Sequence, residues 1–134
     1  MIDHPLKTRL PTLSTLPGCY IYKNAEGTIL YVGKAKNLRK RVTSYFQNYN
    51  DVTARIQIMI DNAVDLETHV VDTEVEALIL ESSLIKKYKP RYNVLLKDDK
   101  DYSWIKVTKE PYPIIYRTRD IKDRKAKYFG PFTS

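Results

Sequence analysis

The sequence contains very few of the residues that form disulfides or bind zinc. Cys19 is the one cysteine among 134 residues, and His4 and His69 are the only histidines. A single cysteine excludes an intrachain disulfide, and these three scattered residues argue against a structural zinc site. Disulfide-rich secreted domains and zinc-binding domains are therefore set aside.

Long hydrophobic runs are also missing. No apolar stretch reaches the roughly 18 residues that cross a bilayer, and no secretory signal opens the chain. We therefore expect a cytoplasmic protein with no membrane partner, and a monomer. The length suits one domain that buries a core without disulfides.

Acidic residues are in the minority. Lys and Arg number 23 against 16 Asp and Glu, which gives a net charge of +7 and a pI of about 9.4. A protein with this balance attracts anionic partners, and nucleic acid is the leading candidate.

A β-hairpin is predicted near the N-terminus. The β-prone runs 19–23 and 28–32 flank four residues that are typical of a type I turn. If these four residues are the whole loop, Tyr20 faces Tyr31 across the hairpin. A three-residue loop with a glycine bulge would shift the pairing by one residue.

Three helices are predicted from apolar spacing and capping residues. Asn37 is expected to cap the first helix, and a second helix follows Asp51. Thr73 and Glu76 form a capping box for the third helix, which Pro90 closes. The segment 66–71 reads as a strand, and the segments SWIKVT and PIIYRTR predict a second hairpin. The result is a small mixed α/β domain of the α+β type, with an antiparallel sheet and helices packed against it.

The third helix carries a carboxylate where an apolar residue is expected. Glu81 falls within the arc of this helix that holds Ala77, Leu78, Leu84, Ile85 and Tyr88. Burial of a lone carboxylate costs several kcal/mol unless a cation meets it. A structural ion pair with Arg41 or Lys34 and a bound metal ion both satisfy this need.

Basic residues and tyrosines gather around the end of the first hairpin. The basic cluster consists of Lys34, Lys36, Arg39, Lys40 and Arg41. It surrounds a strand-to-helix turn, where backbone N–H groups also favour phosphate, although a solvated helix face explains the outer residues equally well. Tyr20 and Tyr31 are candidates for a general base if they share a face beside Lys34, because a nearby ammonium lowers the pKa of a phenol.

Several separated stretches resemble one family, the N-terminal GIY-YIG nuclease domain of UvrC proteins. They are GCY at 18–20, YVGKAKNLRKRVTSYF at 31–46, EALILESSLIKKYKPRYNVLLKDDK at 76–100 and KYFGPF at 127–132. The resemblance implies a three-stranded antiparallel sheet flanked by helices and metal-dependent cutting of one DNA strand on the 3′ side of a lesion. Residues 1–97 would form this endonuclease core, and 98–134 a C-terminal β-hairpin extension.

The resemblance also implies the site residues. The implied catalytic residues are Tyr20, Tyr31, Lys34, Arg41, Tyr45, Glu81 and Asn93. Glu81 would be the one protein ligand of Mg²⁺ or Mn²⁺. The basic residues expected to contact DNA are Lys36, Arg39, Lys40, Lys86, Lys89 and Arg91. The implied partners are damaged duplex DNA, UvrB and the UvrA–UvrB loading system, reached through parts of a longer protein.

A different class of function stays open, a basic DNA-binding module that does not cut. It accounts for the charge and the aromatic residues. It does not account for the inward-facing Glu81, because a carboxylate repels phosphate unless a metal ion intervenes.

Overall fold

The first sheet contains three antiparallel strands in the order β2-β1-β3. The computed structural model describes residues 1–97, 102–118 and 123–133. The three strands are β1 (Gly18–Lys23), β2 (Ile29–Ala35) and β3 (Asp65–Val70). This confirms the antiparallel three-stranded sheet flanked by helices, and it leaves β2 as an edge strand.

The predicted pairing of Tyr20 with Tyr31 is wrong by two residues. Tyr20 pairs with Gly33, and Tyr31 pairs with Tyr22. The loop between the strands is longer than expected, since β2 begins at Ile29, and the register slips between Tyr22 and Lys23. A shift of two residues keeps every side chain on its face of the sheet. The Tyr20 and Tyr31 rings are therefore still neighbours, with centroids 6.2 Å apart.

Two short helices cover the tyrosine face of this sheet. They are α1 (Leu38–Gln47) and α2 (Ala54–Asn62). Asn37 caps α1 as predicted, because its side chain accepts a hydrogen bond from the Lys40 amide, and Thr53 caps α2 in the same way. The core between the sheet and these helices contains Tyr20, Tyr22, Leu38, Val42, Phe46, Met59, Ile60 and Leu66.

The third helix, α3 (Glu74–Tyr88), lies against the first sheet and carries Glu81. Thr73 accepts the Glu76 amide at 3.1 Å, which is one half of the predicted capping box. The Glu76 carboxylate reaches the Asp72 amide rather than that of Thr73. The helix ends at Lys89, whose φ of 45° is left-handed, one residue before Pro90.

A fourth helix, α4 (Arg91–Lys97), was not predicted. Pro90 had been interpreted only as the end of α3. Proline also suits the start of a helix, since its missing N–H is not needed there. The Val94 amide donates to the Pro90 carbonyl, which opens this second helix directly after the first.

The C-terminal hairpin is confirmed and belongs to a larger sheet. Its strands β4 (Tyr102–Val107) and β5 (Ile115–Thr118) pair antiparallel, and β6 (Lys127–Thr133) pairs with the other edge of β4. This second sheet packs on α3 through β6, where the Ser82 hydroxyl donates to the Gly130 carbonyl. The predicted extension begins at residue 98, and residues 98–101 lie outside the described residues. No helix in the described ranges is long and apolar enough to cross a membrane.

Candidate active site

Tyr20, Tyr22 and Tyr31 project from one face of the β1–β2 pair. This follows from their pairing, because directly opposed and alternate residues of a sheet share a face. All three are buried, and Tyr31 is the most accessible at 8% exposed. These three tyrosines therefore line the face of the sheet that packs against α1.

Gly33 makes room for the Tyr20 ring. A β-carbon built on Gly33 would lie 2.1 Å from Tyr20 Cζ and 2.3 Å from its hydroxyl. No such contact is sterically possible, so only glycine allows the ring to lie across β2. The sequence did not single out this role, because Gly33 follows the predicted run 28–32 and was interpreted as part of the strand-to-helix turn.

Arg41 and Tyr45 on α1 form a hydrogen-bonded network with Tyr20. The Tyr20 and Tyr45 hydroxyl oxygens are 2.6 Å apart. Arg41 Nε donates to Tyr20 at 3.3 Å, and its Nη2 donates to Tyr45 at 3.2 Å. Arg41 and Tyr45 are one helical turn apart, which places the guanidinium 4.8 Å from the Tyr45 ring centre as well. The predicted site residues Tyr20, Arg41 and Tyr45 are thus in direct contact.

Tyr22 differs from its neighbours because its hydroxyl makes no hydrogen bond to the described residues. The side chain is fully buried, and its ring packs edge-on against the rings of Tyr20 and Tyr45. Its contribution among the described residues is therefore packing.

Tyr31 has a different electrostatic environment from the one predicted. Burial raises its pKa well above the ordinary value, and the nearby Tyr45 and Glu81 raise it further, while Arg41 opposes them. The prediction that Lys34 lowers this pKa is wrong. β2 continues through Gly33 and Lys34 to Ala35, so Lys34 leaves the opposite face of the strand from Tyr31.

Glu81 is buried beside β1 and β2, on the side of the sheet that carries Cys19 and Lys34 rather than the tyrosines. The residue is 5% exposed, on a helix that packs against β1 and β2. The pKa of the Cys19 thiol is affected by the charges of both Glu81 and Lys34, and Lys34 is its partner across the strands. This pKa is raised to about 12, first by burial and then by Glu81, while Lys34 opposes the shift. Since Tyr31 also responds to Glu81, the carboxylate acts on both faces at the edge of the sheet.

Asn93 holds the exposed edge of β2. Its side-chain oxygen accepts the Val32 amide at 2.8 Å, and its side-chain nitrogen donates to the Val32 carbonyl at 2.9 Å. These two bonds replace a neighbouring strand at the residue that follows Tyr31. The side chain comes from α4, the helix that was not predicted, so its partner could not be foreseen.

A basic cleft of about 720 Å³ opens beside this site. Its lining residues are Lys34, Ala35, Lys36, Asn37, Lys40, Arg41, Ser44, Glu74, Ala77, Leu78 and Arg117. Four of the predicted basic residues thus converge on one cavity. Lys36 approaches Glu74 at 3.9 Å, but both side chains are exposed, so this ion pair contributes little to stability.

The remaining predicted DNA-binding residues do not line the cleft. Arg39 Nε donates to the Leu13 carbonyl at 2.8 Å, which ties α1 to the N-terminal segment. Lys86, Lys89 and Arg91 are exposed around the junction of α3 and α4. That junction is at the opposite end of α3 from Glu74, about 20 Å away at 1.5 Å per residue.

The amides that open α1 are already bonded, contrary to the expectation that they favour phosphate. Leu38 N–H donates to the Leu16 carbonyl, and Arg39 N–H donates to that of Ser14. The next amide, that of Lys40, donates to the Asn37 side chain. An anion in the cleft is therefore bound by side chains rather than by the amides of the helix terminus.

Comparison with known proteins identifies the family. The model of the UvrC-like GIY-YIG domain matches residues 16–94, which is more than half of the chain. The chain therefore belongs to the UvrC-like GIY-YIG domain family.

Two curated relatives extend the match beyond this range. The UvrABC system protein C of Caldicellulosiruptor saccharolyticus is 52% identical over 129 residues, covering 96% of this chain and 22% of the relative. That of Streptococcus pneumoniae is 50% identical over 131 residues, covering 98% and 21%. The chain spans about a fifth of the length of these relatives.

A solved structure shares the fold and carries a metal ion. It is the GIY-YIG N-terminal endonuclease domain of UvrC from Thermotoga maritima, bound to magnesium as its catalytic divalent cation. It is 41% identical, with a TM-score of 0.61, and the match covers 69% of this chain and 99% of that chain. The same domain has been solved with its catalytic cation in single variants, including Tyr-to-Phe and Asn-to-Ala changes.

Proposed function

We propose that this chain is a metal-dependent DNA endonuclease domain that hydrolyses a phosphodiester on the 3′ side of a lesion in nucleotide excision repair. The observation that carries the proposal is the buried Glu81 carboxylate, which, in addition to burial, raises the pKa values of both Tyr31 and Cys19 and lies on the helix that also lines the basic cleft. The bound catalytic cation of the Thermotoga maritima endonuclease domain supports it.

The donor set suits a hard divalent cation. Glu81 offers carboxylate oxygens, while the thiol of the neighbouring Cys19 donates to the Ala77 carbonyl at 3.1 Å and is not available as a soft thiolate. The described residues contain no cluster of three or more His, Cys, Asp or Glu. A site with one protein carboxylate, completed by water and phosphate oxygens, fits Mg²⁺ and Mn²⁺.

Tyr31 is assigned as the general base. It is the most exposed of the three residues on the tyrosine face, and it lies close enough to Glu81 for that carboxylate, in addition to burial, to raise its pKa, so a cation held by Glu81 would be near it. As a base, its oxygen takes the proton of the water whose oxygen attacks phosphorus in line, while the bond to the leaving 3′ oxygen breaks. When bound, the divalent ion supplies positive charge that favours the phenolate and the leaving oxygen. Tyr20 is the second candidate, because it is more deeply buried than Tyr31 and its hydroxyl accepts a hydrogen bond from Arg41.

Arg41 is assigned to stabilise charge on the phosphorane-like transition state. Its two bonds to tyrosine hydroxyls orient the guanidinium and use two of its five N–H donors. The guanidinium also lines the cleft, so further donors reach the place where phosphate binds. Tyr20 and Tyr45 hold this cation. Lys34 lines the same cleft near the scissile phosphate, and Asn93 positions the edge of β2.

The DNA path is assigned to the basic cleft. Lys36 and Lys40 contact backbone phosphates on its α1 side, and Arg39, Lys86, Lys89 and Arg91 are retained as outer contacts. Residues 1–97 act as the endonuclease core and 98–134 as its extension. UvrB and the UvrA–UvrB system supply lesion recognition through the remainder of a longer protein, which acts in the cytoplasm.

Divalent-dependent nicking separates this proposal from a DNA-binding module that does not cut. In the longer protein that contains this chain, we expect a lesion-containing duplex presented with the UvrA–UvrB system to be nicked on the 3′ side with Mg²⁺ or Mn²⁺ and to stay intact with a chelator. Binding without nicking, at any divalent concentration, would favour the module. Calorimetric titration of Mn²⁺ into wild type and Glu81→Gln gives a readout independent of activity, and binding is expected only in the wild type.

A further inference from the structure

The C-terminal sheet contributes one side chain to the basic cleft, Arg117 on β5. All other lining residues come from β2, α1, α3 and the turn between β2 and α1. The family model ends at residue 94, before this sheet begins, so nothing in that match assigns the sheet a role. The alignments with the curated relatives, over 129 and 131 residues, include most of it.

Arg117 lies on the face of its sheet that also carries Ile105. It pairs with Ile105 on β4, which is 5% exposed, and residues paired across strands share a face. Arg117 itself is exposed, as expected for a side chain that leaves this face over an open cleft.

Positively charged side chains from the β2–α1 region and from β5 line the same cleft. Five basic side chains and one carboxylate, Glu74, line it. Cations that converge on one cavity repel each other unless an anion occupies the space between them. The α1 amides are committed to Leu16, Ser14 and Asn37, so side chains must bind such an anion.

The second sheet is held against α3, which fixes the position of the residues that it carries. β6 packs on α3, and Ser82 on that helix donates to the Gly130 carbonyl. The same helix carries Glu81 on its buried face and Glu74 at the rim of the cleft. The position of Arg117 relative to the proposed metal ligand is therefore fixed through one helix.

We propose that Arg117 binds a backbone phosphate of the DNA, which makes the C-terminal sheet the second wall of the DNA-binding cleft. This inference rests on the proposed function. The DNA strand lies between α1 on one side and β5 on the other, with one phosphate held by Arg117 and others by Lys36 and Lys40. Such contacts carry no sequence preference and are salt-dependent.

The test is equilibrium binding of a fluorescent duplex over a series of salt concentrations, without divalent ions. Arg117→Ala is expected to weaken binding several-fold and to reduce the slope of log K against log salt by about 1, the value for one lost phosphate contact. Arg117→Lys should recover most of the slope. Arg124→Ala removes the same charge from an exposed turn of the same sheet that does not line the cleft, and it should leave both quantities unchanged.

Two results overturn the inference, and they separate it from the proposed function. If Arg117→Ala binds DNA like the wild type, or if Arg124→Ala weakens binding equally, Arg117 makes no specific contact with DNA. In either case, nicking by the wild type would still support the proposed endonuclease. If the wild type shows no salt-dependent binding, the cleft is not a DNA-binding surface and both proposals are wrong. Thermal unfolding of each variant confirms that the fold is retained.

Discussion

Tyr20 lies across Gly33 so closely that a β-carbon on Gly33 would be 2.1 Å from Tyr20 Cζ. This contact fixes the ring whose hydroxyl meets Tyr45 and Arg41. The geometry of the proposed site thus depends on the absence of a side chain at Gly33.

Gly33→Ala is expected to displace the Tyr20 ring and to abolish most incision. Overpacking of this kind costs about 1–3 kcal/mol in the free energy of unfolding, which urea denaturation measures. Gly27→Ala is the control, because Gly27 has a φ of +81° but open space around its β-carbon position. That change should cost about 1 kcal/mol through backbone strain and leave incision intact. Full activity in Gly33→Ala would show that Tyr20 need not hold its position.

Tyr31→Phe is expected to give a folded protein that still binds metal and DNA but no longer nicks DNA. The ring stays in place, and only the oxygen that accepts the proton is lost. Tyr22→Phe is the matched control, since it removes a buried hydroxyl with no described hydrogen-bond partner and should keep its activity and its stability. The single-turnover nicking rates of the two variants show whether only the Tyr31 hydroxyl is needed for the reaction. An active Tyr31→Phe would transfer the base role to Tyr20 or to unaided water.

Arg41→Ala is expected to lower the single-turnover rate by about 10²-fold or more, because the charge that stabilises the transition state is lost. Arg41→Lys should recover little of the rate, since a single ammonium cannot reproduce the bonds of the guanidinium to Tyr20 and Tyr45. Lys36→Ala, which removes an exposed charge from the same cleft, should have a much smaller effect. Equal losses in Arg41→Ala and Lys36→Ala would mean that overall charge, rather than position, governs the rate.

Alkaline pH is expected to unfold the domain through its buried tyrosines. Burial raises the pKa values of Tyr20, Tyr22 and Tyr31 in the folded state. An unfolded tyrosine has a pKa of about 10. The unfolded chain thus loses these protons first, so the stability they contribute is complete below about pH 10 and is lost as the pH rises above it. Urea unfolding across this range, with tyrosinate absorbance followed in parallel, measures the effect. Ionisation of all tyrosines near pH 10 in a folded protein would contradict it.

Local signals predicted the helices and the inward carboxylate well. Asn37 and Thr73 both cap their helices as expected, because capping depends on bonds within one turn. Helical periodicity placed Glu81 on a buried arc, and Glu81 is indeed 5% exposed, but Tyr88 at the end of the same arc is 46% exposed.

Features that depend on distant partners were missed. The hairpin register depended on an irregularity at Tyr22 that the turn residues do not reveal. Lys34 was assigned to the wrong face because β2 continues three residues beyond its predicted end. Arg117 enters the cleft only because β6 places the second sheet on α3, and no local pattern around residue 117 indicates that packing.

The central claim, that Glu81 holds a catalytic divalent ion, is tested most directly by single-turnover nicking of Glu81→Gln over a series of Mg²⁺ concentrations. The substitution keeps the shape of the side chain and removes its charge. Our account predicts a folded protein with wild-type DNA binding and no Mg²⁺-dependent nicking at any concentration. Nicking by Glu81→Gln at the wild-type rate, with the same Mg²⁺ dependence, would contradict it.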